Sequence, residues 1–293
     1  MPAPTVSVII PTFNEAHTIG GLVTAVRSQY PEAEIIVVDD GSTDQTAANA
    51  QNSGARVYSH PYNIGNGAAI KSGIRMASGE VLVFMDGDGQ HDPKDISRML
   101  ALLPEYDLVV GARAFQDQAS LGRALGNAVY NRFASYVAKF PIKDLTSGFR
   151  AIKAPVARSM IYLLPNTYSY PTTMTLAVLR TGLSLKYVPI RTERRTSGKS
   201  QISLIKDGVR FFMIITRICT LFSPMRVFLP ISVSMFFLGA VWYLYTFTLE
   251  GRFTNMSALL FNSSIIVFLM GMISEQISQM RFERRRERHE GRE

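Results

Sequence analysis

The chain has a single cysteine, and its N-terminus lacks the features of a signal peptide. Cys219 excludes an internal disulfide bond and any zinc site built from several cysteines. Residues 1–5 carry no basic side chain, and the apolar run Val6–Ile10 is too short for the hydrophobic part of a signal peptide. We therefore expect the N-terminal part of the protein to stay in the cytoplasm.

Basic residues outnumber acidic ones, with 31 Lys and Arg against 23 Asp and Glu in 293 residues, a net charge of +8. Such an excess suits nucleic acid, anionic lipid or phosphorylated substrates, and its location must decide between them. Many of the arginines stand next to uncharged segments near the C-terminus. This position favours anionic lipid, and we expect no nucleic-acid partner.

Apolar runs typical of buried parallel strands alternate with helical patterns along most of the chain. The predicted strands are Val6–Ile10, Ile35–Val38, Val57–Tyr58, Val81–Met85, Leu108–Gly111 and Lys186–Ile190. The predicted helices are Ile19–Tyr30, Gln45–Ser53, Ala68–Ala77 and Leu121–Phe140. This order predicts an α/β domain with a Rossmann-like, mostly parallel sheet.

The segment Val81–Pro93, VLVFMDGDGQHDP, has the strongest chemical signal. Its buried strand ends in Asp86, Asp88 and Gln90, which point the same way if the chain stays extended. Three such oxygen ligands suit a divalent cation that also binds a substrate diphosphate. The alternative is a solvated Asp-Gly turn. An EF-hand is excluded because His91 stands where that loop needs glycine.

Two further strand ends carry polar residues, Thr12–Glu15 and Asp39–Asp44. The carboxyl ends of parallel strands share one edge of the sheet, so these loops and the acidic segment predict one composite site. Glu15 and Asp44 have a simpler alternative role as helix caps. In the later segment DLTSGFR, Asp144 and Arg150 are expected to pair and to hold the turn between them.

The last third of the chain has the pattern of a membrane anchor. Ile202–Phe222 is amphipathic with a basic side, typical of a helix in a membrane interface, although an ordinary surface helix is the alternative. Residues 227–249 carry no charge and are long enough to cross a hydrocarbon core, and residues 256–274 form a second such stretch. The alternative is a pair of buried core helices.

Arginines on both sides of this pair predict that both ends face the cytoplasm. We therefore expect an integral protein of the cytoplasmic membrane, with the catalytic domain and both termini inside. The predicted boundaries are a catalytic domain at 1–200, an interface helix at 201–224, a transmembrane hairpin at 225–280 and a basic tail at 281–293.

Five motifs occur in order: PTFNE, VVDDGSTD, MDGDGQHDP, LTSGFR and RRTSGKS. Together they resemble the family-2, GT-A-type glycosyltransferases, and in particular the polyprenyl-phosphate glycosyltransferases of the dolichol-phosphate mannose synthase branch. The resemblance covers about residues 11–200, and the hairpin extends it to bacterial undecaprenyl-phosphate sugar transferases.

The resemblance implies a role for each matching residue. Asp86, Asp88 and Gln90 would hold Mg²⁺ or Mn²⁺ on the donor diphosphate. Nucleotide-sugar contacts are implied for Pro11, Thr12, Glu15, Asp39, Asp40, Asp86, Arg195 and Ser200. Contacts to the acceptor phosphate are implied for Arg113, Arg123, Asn127 and Ser147. Among all of these, Asp88, Arg113 and Arg123 are the implied catalytic residues, although Arg123 could be only a surface charge.

The implied reaction is metal-dependent, inverting transfer of a sugar from a UDP- or GDP-sugar to undecaprenyl or dolichyl phosphate. A lipid phosphate is largely ionised at neutral pH, so no general base is expected. The resemblance also implies homo-oligomers, often tetramers. Two features depart from the family: Gln201 follows Ser200 where lysine is common, and Tyr168–Met174 lacks the carboxylate that many relatives have.

Two other functions fit parts of the sequence. A processive polysaccharide synthase of the same superfamily would need a Q-x-x-R-W motif, but the only tryptophan, Trp242, lies in a predicted membrane span. A non-catalytic membrane protein that binds a nucleotide sugar would not need the metal set Asp86, Asp88 and Gln90.

Overall fold

A computed structural model describes residues 4–113, 121–166, 170–192 and 223–290, with side chains for all of these except 121–127 and 281–290. The chain divides into two compact units. The first comprises Met1–Ser135 and Phe140–Gln201, and the second comprises Tyr136–Lys139 and Ile202–Glu293.

The first unit is built on a seven-stranded, mostly parallel sheet in the order β3-β2-β1-β4-β6-β5-β7. The strands are β1 (Val6–Thr12), β2 (Glu34–Asp39), β3 (Arg56–Ser59), β4 (Val81–Phe84), β5 (Leu108–Arg113), β6 (Arg150–Lys153) and β7 (Leu185–Ile190). β6 runs antiparallel to both of its neighbours, β4 and β5. The predicted α/β class with a mostly parallel, Rossmann-like GT-A sheet is confirmed.

Helices connect the strands and cover the sheet. They are α1 (Ile19–Gln29), α2 (Thr46–Asn52), α3 (Asn66–Met76), α4 (Asp95–Leu100), α5 (Leu121–Ala138), α6 (Ala154–Met160) and α7 (Tyr170–Arg180). In α1 the buried residues Ile19, Leu22, Val23 and Val26 recur at helical spacing, which places one apolar face on the sheet. Strands β1, β2 and β4 are almost wholly buried, which explains why their runs are continuously apolar.

All six predicted strands occur, but the sequence did not reveal β6. Its residues, RAIK, begin and end with a basic side chain, so the segment does not look like a buried strand. Yet Arg150 is fully buried, because its guanidinium donates to Thr175 and to two backbone carbonyls. The short helices α4, α6 and α7 were also not predicted.

The second unit contains two long helices, which we call the first hairpin helix (Met225–Glu250) and the second hairpin helix (Asn255–Glu290). Met225–Glu250 and Asn255–Met280 are long and apolar enough to cross a membrane. Gly251, with φ +64°, ends the first helix and allows the tight connection to the second.

Small residues let the two hairpin helices approach closely. A Cβ on Gly239 would lie 3.1 Å from Leu260, and one on Gly271 would lie 2.7 Å from Phe228. Between these contacts the Ser232 and Ser264 hydroxyls each donate to the other residue's carbonyl, at 2.9 and 3.0 Å. The predicted interface helix falls mainly on residues 193–222, which lie outside the described part.

Candidate functional site

The carboxyl ends of β1, β2 and β4 lie side by side, and hydrogen bonds join the loops that follow them. The amide of Asp40 donates to the carbonyl of Thr12 at 2.8 Å, which ties the end of β2 to β1. The Thr18 hydroxyl donates to the carbonyl of Gly87 at 2.9 Å, which ties the first loop to the acidic segment after β4. The structure therefore brings the three polar loops to one edge of the sheet.

Asp86 is held between the acidic segment and the turn that precedes β6. A Cβ on Gly148 would lie 2.4 Å from Oδ2 of Asp86, so only glycine allows this approach. On the other side, Nε2 of His91 lies 3.8 Å from the same carboxylate, and the His91 ring stacks on Phe149 with centroids 5.0 Å apart. Burial raises the pKa of Asp86, but His91, Arg113 and Arg150 outweigh it, so the pKa lies below its ordinary value.

Asp88 and Gln90 complete the acidic turn. Oδ1 of Asp88 accepts the amide of Gln90 at 3.1 Å, and Gly89 has φ +72°, a left-handed conformation that favours glycine. Asp86, Asp88 and Gln90 are all partly exposed. Within the described residues no group of three or more His, Cys, Asp or Glu could hold a metal by itself.

The donor set nevertheless fits a hard cation that shares its ligands with a substrate. Mg²⁺ is commonly bound through one or two carboxylates, substrate phosphates and several waters, rather than by a complete protein cage. Two partly exposed carboxylates, one with its pKa held low and therefore ionised, are what such a shared site requires.

Asp39 and Asp40 are both buried, and their carboxylates organise different loops. Oδ1 of Asp39 accepts the amide of Ser42 at 3.1 Å. The carboxylate of Asp40 accepts the amides of residues 64 and 65 at 3.0 and 2.8 Å, and it lies 2.7 Å from Nδ1 of His60. His60 in turn contacts the hydroxyl of Ser72 at 2.9 Å. Asp40 therefore fastens the loop after β3 to the end of β2.

Arg113, the last residue of β5, forms a two-pronged ion pair with Asp144. Its Nε and Nη2 lie 2.8 and 3.0 Å from the two carboxylate oxygens, and Nη2 also donates to Thr146 at 2.7 Å. Burial raises the pKa of Asp144, but Arg113 and the backbone amides outweigh it and hold the pKa below its ordinary value. The Arg113 side chain is 27% exposed, so part of the guanidinium faces solvent.

The expected pair of Asp144 with Arg150 is not formed, because Asp144 binds Arg113 instead. Arg150 still holds the turn, since it donates to the carbonyls of Ser147 and Leu145 at 2.7 and 3.3 Å. Ser147 is 1% exposed, and its hydroxyl has no hydrogen-bond partner among the described residues. A buried unpaired hydroxyl is costly unless a ligand completes it.

Four implied site residues cannot be placed by their side chains. Arg123 and Asn127 lie on α5, but their side chains are outside the described part. Arg195 and Ser200 lie in residues 193–222, which are wholly outside it. The remaining implied residues, from Pro11 to Ser147, lie on strand ends and turns of the first unit.

Sequence reasoning missed the contributions of His60, His91 and Phe149 to this site, and it assigned Asp144 the wrong partner. Only the position of His91, next to the acidic segment, offered a signal. The partners of His60 and Asp144 are separated from them by 20 and 31 residues, so the contacts depend on the fold.

Two family models match the chain. Glycosyl transferase family 2 matches residues 7–160, which include β1 from its second residue, all of β2 to β6, the acidic turn and the Asp144–Arg150 segment. GtrB C-terminal hairpin matches residues 223–280, which include both apolar stretches.

Curated relatives have related descriptions. Polyprenol monophosphomannose synthase of Mycolicibacterium smegmatis is 30% identical over 212 residues, covering 67% of this chain and 80% of that protein. Undecaprenyl-phosphate mannosyltransferase of Micrococcus luteus is 28% identical and covers 67% and 86%. Glycosyltransferase AglJ of Haloferax volcanii is 27% identical and covers 94% and 95%.

Among solved structures, glucosyl-3-phosphoglycerate synthase from Mycobacterium tuberculosis has a TM-score of 0.60 at 22% identity, covering 74% of this chain and 79% of that chain. Another structure of that enzyme, with Mn²⁺ and UDP bound, has a TM-score of 0.57 at 21% identity and covers the same shares. At this level of identity the likeness shows the fold alone.

Proposed function

The chain belongs to glycosyl transferase family 2, and from this premise we propose that it transfers a sugar from a nucleotide sugar to a polyprenyl phosphate. Family membership makes the protein a glycosyltransferase. The acceptor is proposed because relatives along most of the chain are named for polyprenyl-phosphate acceptors. The product would be a monosaccharide joined to the lipid through phosphate.

One observation carries the proposal: the carboxylate of Asp86 lies against the backbone of Gly148. This contact joins the acidic turn, which is the proposed donor end, to the Thr146–Phe149 turn, which is the proposed acceptor end. A transfer enzyme must hold donor and acceptor in line at one place, and such positioning can lower a barrier by several kcal/mol. A protein that only binds a nucleotide sugar has no need of the second turn.

A divalent cation, Mg²⁺ or Mn²⁺, would be held by Asp86, Asp88 and Gln90. When bound it would act as a Lewis acid on the leaving nucleoside diphosphate. The protein's own part is to keep Asp86 ionised beside His91 and to present Asp88 on a tight turn. The remaining nucleotide-sugar contacts are proposed for Pro11, Thr12, Glu15, Asp39, Asp40, Arg195 and Ser200.

The acceptor phosphate would be bound by Arg113, Arg123, Asn127 and Ser147. Asp144 orients Arg113 by a two-pronged contact, which leaves part of its guanidinium towards solvent. The unpartnered hydroxyl of Ser147 can donate to a phosphate oxygen. Because a phosphate monoester is largely a dianion at neutral pH, it can attack the anomeric carbon without a general base. Direct attack implies inversion at that carbon.

The hairpin would place the enzyme at the bilayer, where a polyprenyl phosphate is found. Residues 225–280 would form the transmembrane hairpin, with residues 1–200, the interface helix at 201–224 and the tail at 281–293 on the cytoplasmic side. Arginines near both ends of the hairpin support this orientation. We also propose that the protein is a homo-oligomer.

The test is a donor screen with the full-length protein, labelled UDP- and GDP-sugars, Mg²⁺ or Mn²⁺, and undecaprenyl or dolichyl phosphate. We expect one donor to give a lipid that carries a single sugar and is not extended by further transfers. An Asp88→Ala variant should lose roughly a thousandfold in rate, as expected when a major electrostatic contact to the leaving group is removed.

The control is Asp92→Ala, which removes an exposed carboxylate just beyond the turn and should retain transfer. Absence of any lipid-linked sugar with every donor would overturn the proposed reaction. Equal rates for wild type and Asp88→Ala would overturn the metal role and leave the reaction standing.

A further inference from the structure

The guanidinium of Arg150 is a buried charge whose hydrogen-bond partners are all uncharged. The residue is 0% exposed. Its Nε donates to the carbonyl of Ser147 at 2.7 Å, and its Nη2 donates to the carbonyl of Leu145 at 3.3 Å. Its Nη1 donates to the hydroxyl of Thr175 at 2.8 Å. Within the described part of the chain, Arg150 therefore has hydrogen bonds but no ion pair.

A carboxylate stands close to Arg150 in the sequence, but the fold gives it to another arginine. Both oxygens of Asp144 bind the guanidinium of Arg113, so the charges of that pair offset each other. Burial lowers the pKa of Arg150. An arginine still remains protonated at neutral pH, because its ordinary pKa lies above about 12. Arg150 is therefore an unmatched positive charge, and burying such a charge is costly.

The register of the sheet places this charge beside both halves of the candidate site. Arg150 begins β6, where it pairs with Phe84 on β4 and with Val110 on β5. Phe84 stands two residues before Asp86, and Val110 stands three residues before Arg113. The charge of Arg150 is one of the causes that lower the pKa of Asp86, so it acts on the acidic turn through the interior.

The contacts of Arg150 also bring its charge to the Thr146–Phe149 turn. Its Nε binds the carbonyl of Ser147, the residue whose buried hydroxyl has no partner among the described residues. A phosphate bound to that hydroxyl would lie close to the guanidinium without displacing any of its three partners. The cost of the buried charge would then be offset when an anion binds.

A fixed positive charge has opposite effects on the two kinds of ion that the site is proposed to bind. It attracts a phosphate dianion and repels a divalent cation. At an effective dielectric constant of about 20, a unit charge about 10 Å away changes the affinity for another unit charge by roughly tenfold. A side chain that only supports the fold would affect both ions in the same direction when it is disturbed.

We propose that the buried charge of Arg150 strengthens binding of the acceptor phosphate at Ser147 and weakens binding of the cation at Asp86 and Asp88. Arg150 is then a positioning residue, because it acts on the phosphate through the turn and through its charge. This proposal rests on the proposed function, which supplies the phosphate acceptor, and it adds a residue outside the implied site.

The first test neutralises the charge but keeps the arginine. Thr175→Asp places a carboxylate against Nη1 of Arg150, and Thr175→Asn has the same shape without the charge. The full-length protein in nanodiscs is titrated with undecaprenyl phosphate, and separately with Mn²⁺ followed by electron paramagnetic resonance. Both titrations omit the donor and are made at about pH 8, where carboxylates are ionised.

The two affinities should change in opposite directions. Compared with Thr175→Asn, Thr175→Asp should bind undecaprenyl phosphate about tenfold more weakly and Mn²⁺ about threefold to tenfold more tightly. Thr181→Asp adds the same charge at an exposed position just beyond α7 and should change neither affinity. Equal affinities in the Asp and Asn variants at position 175, or weaker binding of both ions in the Asp variant, would overturn the proposal.

The second test removes the charge itself, and it stands even if the first variant does not fold. Arg150→Gln loses the charge but keeps an amide that can donate to the turn. Thr175→Val removes one contact of the guanidinium and keeps the charge. Arg150→Gln should show the same opposite changes in affinity, and Thr175→Val should not. Changes in the same direction for both ions in Arg150→Gln would overturn the proposal.

Sugar transfer measured with the wild type separates this proposal from the proposed function. Phosphate binding that depends on the charge of Arg150, without any transfer, would support the role of Arg150 and count against the proposed reaction. Transfer with phosphate binding that does not depend on this charge would overturn the role of Arg150 and leave the reaction standing. A wild type that neither binds the lipid phosphate nor transfers a sugar to it would overturn both.

Discussion

The edge of the sheet and the hairpin satisfy their buried polar groups in different ways. At the sheet edge, charged side chains bind one another and the backbone of neighbouring loops, as in the pair of Arg113 with Asp144 and the contacts of Asp40. In the hairpin, uncharged hydroxyls bind backbone carbonyls, as Ser232 and Ser264 do.

The difference is the one expected if the hairpin lies in the membrane, as proposed above, while the edge of the sheet lies in water. Near water, a partly buried carboxylate can remain charged if a cation and several amides surround it. In hydrocarbon a charge is far more costly, whereas a hydroxyl that binds a carbonyl is tolerated. Removing one partner of a charged pair at the sheet edge should therefore lower the free energy of unfolding strongly. Removing a hydroxyl from the hairpin should lower it only slightly.

The largest expected effect comes from breaking the Arg113–Asp144 pair. Asp144→Ala should lower the free energy of unfolding by about 3 kcal/mol, because it leaves a partly buried guanidinium without its partner. The measurement is thermal unfolding of the full-length protein in detergent, followed by circular dichroism. The control is Asp95→Ala, which removes the exposed pair with Arg98 and should cost under about 1 kcal/mol.

The same pair should make stability depend on pH in one direction. The folded pKa of Asp144 is below its ordinary value, so its contribution is complete above about pH 5 and is lost as the pH falls through the folded pKa. The stability difference between wild type and Asp144→Ala should therefore shrink below about pH 4. A difference that grew in acid would contradict this assignment.

A smaller effect is expected where the acidic turn meets the Thr146–Phe149 turn. Gly148→Ala places a methyl group 2.4 Å from the Asp86 carboxylate, which must move away from its position beside His91. We expect transfer to fall about tenfold to a hundredfold, as when the support of a metal ligand is disturbed, with little change in thermal stability. Gly21→Ala, where the added methyl meets nothing within 4 Å, is the matched control. Unchanged transfer in Gly148→Ala would show that the position of Asp86 is not critical.

The contact of Asp40 with His60 should affect donor binding. His60→Ala removes a partner that helps Asp40 hold the loop after β3, and we expect the KM for the nucleotide sugar to rise about tenfold. The KM for the lipid acceptor should stay the same. His60→Asn can keep the contact to Asp40 and should recover most of the donor affinity; equal effects on both substrates would indicate general loosening of the fold instead.

The smallest effect is expected in the hairpin. Ser232→Ala and Ser264→Ala each remove a hydroxyl but leave the close helix packing, so each should cost about 0.6 kcal/mol. The measurement is unfolding of the hairpin followed through Trp242 fluorescence. The control is Ser263→Ala, next to Ser264 on the second hairpin helix. If either variant lowered the free energy of unfolding by several kcal/mol, the hairpin hydroxyls would matter as much as the charged pairs of the sheet edge, contrary to our expectation.

Periodicity explains which elements were predictable. The buried strands β1, β2 and β4 are continuous apolar runs, and α1 repeats its apolar residues at helical spacing, so local sequence determines both. β6 was missed because its first residue, Arg150, has the charge of a surface residue and the burial of a core residue. Only contacts with distant residues, such as Thr175, make that burial possible.

The candidate site shows the same division. Asp86, Asp88 and Gln90 could be picked out because one short segment places them at a strand end. The partner of Asp144 could not, because nearness in sequence favoured Arg150, and only the packing of β5 beside β6 in the sheet brings Arg113 to Asp144.

The sequence by itself determined the class of fold, the acidic turn, the motifs of family 2 and two stretches of membrane length, since each depends on residues close together in the chain. The tertiary structure decided which charges pair, that Gly148 touches Asp86, and that the Ser232 and Ser264 hydroxyls meet between the hairpin helices. These contacts join residues far apart in sequence, so they can form only once the chain has folded.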